Sequence, residues 1–272
     1  MTSVIFDMDG VLYRGSEPLP GAPECIETLR KAGYKTGFLT NNSGRSLEER
    51  IELLKSFGIS AEVSEMMTSG EATARYLNSK GYKGSRVYVV GKDGLVDTLK
   101  KAGFVIDTDD EGPGCDLVVV GWARNINFEK IARAQYEIFI NKAGFFATNV
   151  DPMFPSSGGK VLPGAGSMVA AIATASQSTP EVIGKPKTIS LKYLLMELGV
   201  DREPPESVWM VGDRLDSDIA CGNSYGANTV LVTTGISTRE MGEKAVGMEH
   251  PEFIIDSLSE LPTLILEKFT GK

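Results

Sequence analysis

Histidine is all but absent: His250 is the only one in 272 residues. A Ser–His–Asp hydrolase needs a histidine as general base, and a phosphohistidine enzyme needs one as nucleophile. His250 lies in the polar stretch Gly-Met-Glu-His-Pro-Glu, which reads as a solvated loop. A lone imidazole also excludes zinc or iron sites built from several histidines. Cysteine is scarce as well. Cys25, Cys115 and Cys221 form no CxxC pair, so neither a disulfide framework nor a zinc ribbon is indicated. A cysteine phosphatase needs arginine six positions after its cysteine; Lys31, Gly121 and Ala227 stand there.

Long apolar runs are missing too. The longest uninterrupted one, Met168–Ala173, is far short of a membrane span. The opening MTSVIFDMDG reaches acidic residues at once and has no basic, apolar leader, so a reducing, cytoplasmic setting without a membrane partner is expected. A basic surplus is also absent: 28 Lys and Arg face 36 Asp and Glu, a net charge of −8. That balance disfavours nucleic-acid binding. The remainder is ordinary, with 42% hydrophobic and 24% charged residues, as in a soluble globular protein. The length suits one or two domains and a core that needs no metal or disulfide to fold.

Strand-like and helix-like stretches alternate. Ser3–Phe6, Lys35–Leu39, Arg86–Val90, Asp116–Val120, Phe145–Thr148, Val208–Val211 and Thr229–Val232 read as strands, with Phe253–Ile255 a last edge strand. Helices are expected over Pro23–Ala32, from Ser46 to near Gly58, from Thr68 to Asn78, over Phe128–Asn141, Gly166–Ser176 and Thr188–Leu198, and from Leu258 onward. Ser46 with Glu49 three residues later forms a capping-box pattern. Strand and helix alternating through short links predict an α/β fold, a doubly wound parallel sheet covered on both faces. Charge is uneven. Residues 79–178 are nearly neutral, and the acidic excess lies in the flanking segments.

With histidine and cysteine chemistry excluded, carboxylates remain. Asp7-Met8-Asp9-Gly10 follows the first strand. Two acids without a basic neighbour repel, and a hard cation such as Mg²⁺ would reconcile them; a solvated turn is the other reading. Gly212-Asp213-Arg214-Leu215-Asp216-Ser217-Asp218 follows another strand. Ligands of open parallel sheets bind beyond the C-terminal strand ends, so both clusters fall on one edge. Asp213 at the strand tip reads as a metal ligand, whereas Asp216 reads as an acid capping the helix that follows. Thr40-Asn41-Asn42-Ser43 ends the second strand, where a hydroxyl and successive N–H groups can form an anion nest. Gly184-Lys185-Pro186 offers a lysine as clamp for phosphate oxygens. Pro163-Gly-Ala-Gly-Ser lacks the third glycine of a dinucleotide fingerprint and reads as a close helix-packing turn.

In this order the four clusters resemble the motifs of the haloacid dehalogenase-like (HAD) phosphohydrolases: Asp7–Asp9, Thr40, Lys185 and Asp213–Asp218. Finer segments, among them Phe-Asp-Met-Asp-Gly-Val-Leu-Tyr, Thr-Asn-Asn-Ser, Ala147-Thr148-Asn149-Val150-Asp151 and Gly-Asp-Arg-Leu-Asp-Ser-Asp-Ile, are similar to the NagD-like and p-nitrophenyl phosphatase subfamily. The resemblance covers nearly the whole chain. It implies a Rossmann-like catalytic core over residues 1–78 and 179–272, with an α/β cap inserted over residues 79–178. It further implies a Mg²⁺-dependent phosphomonoesterase of small phosphorylated metabolites that works through an aspartyl-phosphate. Asp7 would be the nucleophile and Asp9 the acid and base. Mg²⁺ would be held by the Asp7 carboxylate, the Asp9 carbonyl and Asp213, with Asp218 orienting metal-bound water. Thr40, Asn41 and Lys185 would hold the phosphate. Trp122 and Arg124 would face the site from the cap, although Ala123 stands where the subfamily often has aspartate. Caps of this kind can pair into homodimers. A phosphotransferase using an alcohol acceptor and a non-catalytic phospholigand-binding protein are the alternatives.

Overall fold

A computed structural model describes residues 2–109, 111–155 and 160–270. Its larger sheet is built around β1 (Ser3–Phe6), which is buried throughout. On one side β1 pairs with β4 (Lys35–Thr40), and β4 with β5 (Met66–Thr68). On the other side follow β13 (Val208–Gly212), β14 (Asn228–Val232) and β15 (Phe253–Ile255). All five ladders are parallel. The strand order therefore reverses at β1, which opens a crevice at the C-terminal ends of β1, β4 and β13. A two-residue ribbon, β2 (Tyr13–Arg14) with β3 (Glu17–Pro18), follows β1 directly.

A second parallel sheet runs in the order β12, β9, β8, β6, β7. Its strands are β6 (Arg86–Val90), β7 (Val105–Asp107), β8 (Leu117–Val120), β9 (Gly144–Ala147) and β12 (Glu181–Val182). The last of these is recruited from beyond residue 178. A short antiparallel ribbon of β10 (Met153–Pro155) and β11 (Val161–Pro163) stands beside it.

Ten α-helices are found among the described residues: α1 (Ala22–Lys31), α2 (Leu47–Ser56), α3 (Ser69–Ser79), α4 (Asp93–Lys101), α5 (Phe128–Gln135), α6 (Ala165–Ser176), α7 (Ile189–Glu197), α8 (Ala220–Tyr225), α9 (Arg239–Lys244) and α10 (Leu261–Thr270). The expected capping box is present, with the Ser46 hydroxyl accepting from the Glu49 N–H and the Glu49 carboxylate accepting from the Ser46 N–H. The helix expected over residues 128–141 changes pitch partway, with a π-helical turn over Tyr136–Ile140.

Alternation along the strands divides the core. Val4 and Phe6 of β1 join Phe38, Trp209, Val211 and Val230 under α1 and α10. Ile5, Leu39 and Met210 point the other way, into a cluster that continues through Leu194 of α7 to Val87, Leu117 and Phe146 of the second sheet. Helix α3 packs against both α7 and α4, so one apolar core runs between the two sheets. The outer face of the second sheet is covered by α5 and α6. Expected strands and helices are found close to their expected bounds. The additions are β5, β7, β10, β11, β12, α4, α9 and the β2–β3 ribbon, mostly elements too short to show a period in sequence.

Candidate active site

Asp7 continues β1 by one residue: its N–H donates to the Val211 carbonyl at 2.8 Å, and its carboxylate emerges beyond the sheet. The chain then reverses at Gly10, whose φ of 91° is costly for any residue with a Cβ. Space demands glycine as well. A Cβ on Gly10 would lie 2.5 Å from Asp213 Oδ2, and one on Gly235 only 1.8 Å away. These two glycines form the slot in which the Asp213 carboxylate rests at the tip of β13.

Three carboxylates converge there. Asp7, Asp213 and Asp218 each offer an oxygen, and these oxygens lie within 4.8 Å of one another. Lys185 enters from the opposite wall, on the segment leaving β12 of the second sheet. Its ammonium donates to Asp7 Oδ1 at 2.5 Å, Asp218 Oδ1 at 2.6 Å and the Leu39 carbonyl at 3.1 Å. Lys185 and Asp218 are both 1% exposed, and an ion pair this deep persists only when its partners are satisfied. Burial opposes the Lys185 charge, but Asp218 and Asp7 outweigh it and hold the ammonium above its ordinary range. Burial pushes the Asp7 carboxyl up to about 7 despite Lys185. Burial, reinforced by the charges of Asp218 and Asp7, raises Asp213 too. Three acids share one ammonium, so the cluster is short of positive charge.

The Asp213 contacts show how that deficit would be met. Oδ2 accepts from the Ile236 N–H at 2.8 Å, but Oδ1 is buried without a hydrogen-bond partner. A buried, unpartnered oxygen on a carboxylate clustered with two other acids fits a hard divalent cation, and an all-oxygen donor set favours Mg²⁺ or Ca²⁺ over softer metals. Asp218, expected behind the metal ligands, presents an oxygen within the same 4.8 Å of those of Asp7 and Asp213.

The turn after β4 forms the adjoining wall. Thr40 Oγ1 accepts from the Asn42 N–H at 3.1 Å. The Asn41 side chain accepts from the Lys185 N–H at 2.8 Å and donates to the Lys185 carbonyl and to both Asp151 oxygens, at 3.0–3.1 Å. Asn149 donates to the Asn41 carbonyl at 2.7 Å. Burial pushes Asp151 up to about 6, against Arg214 and the Asn41 bond. The expected site residues Asp7, Asp9, Thr40, Asn41, Lys185, Asp213 and Asp218 all line one cavity of about 60 Å³, roofed by Trp122, Met153 and Phe154.

Asp9 stands at the mouth with its side chain 23% exposed. Tyr13 Oη donates to Asp9 Oδ2 at 3.4 Å, while Arg50 donates to Tyr13 Oη at 3.2 Å and to the Asn42 carbonyl at 2.7 Å. Neither Tyr13 nor Arg50 is marked out by sequence. Asp216 stands in the first turn of the Leu215–Ile219 segment, as a helix-opening acid should, but makes no capping hydrogen bond; Arg214 grips it bidentately at 3.1 and 2.7 Å. The close-packing reading of Gly164 and Gly166 agrees with their surroundings, since Cβ atoms there would lie 2.2 and 2.3 Å from the carbonyl oxygens of Asp151 and Val150. His250 is exposed, with Nδ1 3.0 Å from the Ala245 carbonyl, and all three cysteines are free and buried. Among the described residues no helix is long and apolar enough to cross a membrane.

Residues 4–105 match the family model of haloacid dehalogenase-like hydrolases, and residues 182–261 match a second, HAD-hydrolase-like model. The chain is 34% identical to phosphoglycolate phosphatase 1A, chloroplastic, of Arabidopsis thaliana, over 94% of this chain and 75% of that one. A p-nitrophenyl phosphatase from Archaeoglobus fulgidus superposes with a TM-score of 0.86 at 33% identity, covering 97% and 98% of the two chains. A glycerol phosphate phosphatase from Mycobacterium tuberculosis, solved in complex with magnesium, superposes with a TM-score of 0.84 at 31% identity, covering 96% of this chain and 76% of that one.

Proposed function

The chain belongs to the haloacid dehalogenase-like hydrolases, and from that premise we propose that it is a Mg²⁺-dependent phosphomonoesterase of small phosphorylated metabolites. The observation that carries the reading is the Lys185 ammonium placed between Asp7 and Asp218, beside the orphaned Asp213 oxygen. That arrangement offers a nucleophile, a cation for phosphate oxygens and a divalent-metal seat within one small cavity. The named activities of the similar proteins support the same class of substrate.

Asp7 attacks phosphorus, forming an acyl phosphate as the ester P–O bond breaks. Asp9, on the solvent side and held by Tyr13, gives its proton to the departing alkoxide. It then takes a proton from the water that attacks the acyl phosphate, so inorganic phosphate leaves and Asp7 returns as a carboxylate. Thr40, the backbone of Asn41 and Lys185 hold the transferring oxygens, and such positioning and charge stabilisation supply most of phosphoryl-transfer catalysis. Asp7 and Asp213 would hold Mg²⁺ with the Asp9 carbonyl, and Asp218, which faces the same cluster and accepts from Lys185, would orient the groups around it. When bound, the ion supplies the positive charge that keeps Asp7 ionised beside an anionic substrate.

Phosphate release from p-nitrophenyl phosphate, with Mg²⁺ and with EDTA, tests this reading. Wild type should be active only with metal, and Asp7→Asn should lose activity by about 10⁴-fold or more. A folded Asp7→Asn protein that still turns over would overturn the nucleophile assignment.

A further inference from the structure

We infer that the preferred substrate carries a second anionic group on its leaving-group side, received by Arg45, Lys92 and Arg124. The inference rests on the phosphomonoesterase reading and deepens it. A second cavity of about 290 Å³ opens beside the reaction centre and shares Asp9, Asn42, Trp122 and Phe154 with it. The phosphate cavity has little room for more than the phosphoryl group, so the alcohol part of an ester extends past Asp9 into this vestibule.

The vestibule's charge is out of keeping with the chain. The protein carries a net −8, yet the vestibule is lined by four cations, Arg45, Arg50, Lys92 and Arg124, and by a single acid, Asp9. They converge from separate parts of the fold. Arg45 comes from the turn before α2, Lys92 from the end of β6 and Arg124 from the loop after β8. Arg45, Lys92 and Arg124 are exposed and have no ion-pair partner among the described residues. Lys92 Nζ lies 5.1 Å from the Trp122 ring centre, which keeps the ammonium over the vestibule wall. Arg50 is buried and already answered by Asp9, 4.0 Å away, so the unpaired charge is that of Arg45, Lys92 and Arg124. Uncompensated cations in a recess focus positive potential and attract anions. A neutral leaving group would leave this charge unanswered, whereas a carboxylate or second phosphate would receive charge-assisted hydrogen bonds.

Matched pairs of esters test the inference. 2-Phosphoglycolate against 2-hydroxyethyl phosphate probes a carboxylate, and glucose 1,6-bisphosphate against glucose 6-phosphate probes a phosphate. In at least one pair kcat/KM should favour the doubly anionic member by about tenfold or more, and the preference should shrink as salt is raised. Arg124→Ala and Lys92→Ala, both exposed and therefore compatible with folding, should each cut that preference severalfold. Equal turnover within both pairs, or a preference unchanged in both variants, would overturn the inference and leave the phosphomonoesterase reading standing. Failure to hydrolyse any of these esters or p-nitrophenyl phosphate in folded, Mg²⁺-loaded protein would overturn both.

Discussion

Removing the Lys185 ammonium would leave Asp7 and Asp218 facing each other across the cavity without a counter-charge. Lys185→Met should therefore destabilise the protein by about 3–5 kcal/mol at neutral pH, as read by urea unfolding. The loss should shrink on acidification, because a protonated carboxyl needs no cation. Asp151 makes the opposite kind of prediction. Its carboxyl is raised from 3.8 to about 6 by burial, so the native state holds its proton more tightly than the unfolded chain does. Stability is then lost as pH rises from about 4 to about 6, amounting to about 3 kcal/mol at completion. Asp151→Asn keeps an acceptor for Asn41 and should lack that slope in unfolding measurements across the same range. Asp7, Thr40 and Asp213 stand out in the sequence because each comes at the end of a readable strand, and Lys185 because it lies between a glycine and a proline. Arg50 does not, since Leu-Glu-Glu-Arg has the composition of a solvated helix face, and only the fold turns that arginine inward to Tyr13.

Between elements, the most exacting fit is that of the loop after β14 against the tip of β13. The 1.8 Å approach at Gly235 leaves no room for a methyl group, and the neighbour that must give way is the Asp213 carboxylate. Gly235→Ala should raise the Mg²⁺ concentration needed for half-maximal activity by about tenfold or more, as a metal titration would measure. The parallel strands were legible because buried β-branched runs bounded by glycine and acidic turns stand out over four or five residues. Strands β5, β10, β11 and β12 are two or three residues long and have no period to detect. Their pairing is decided by neighbours distant in sequence, as when β12 joins β9 and thereby brings Lys185 to the acids of the other sheet.

Over the whole molecule, the carboxylate cluster is a local weakness that a bound ion would relieve. Mg²⁺ at about 100 times its dissociation constant should add about 2.7 kcal/mol of stability. Thermal unfolding should therefore move to higher temperature with Mg²⁺ and back with EDTA, and Asp213→Ala should abolish the shift. The α/β class was legible from alternation alone, but the apolar core shared by the two sheets was not, because it depends on α3 serving α4 and α7 together. Tyr76, near the end of α3, donates a hydrogen bond to Glu181 at the start of β12. The chain thus leaves the larger sheet and returns to it at almost the same place, as a detour does on a road. Little loop-closure entropy separates a long detour from a short one. This junction is accordingly where extra sequence is cheapest to insert, provided that whatever is inserted still covers α3 and α7 and still pairs with β12, which carries Lys185 to the acids.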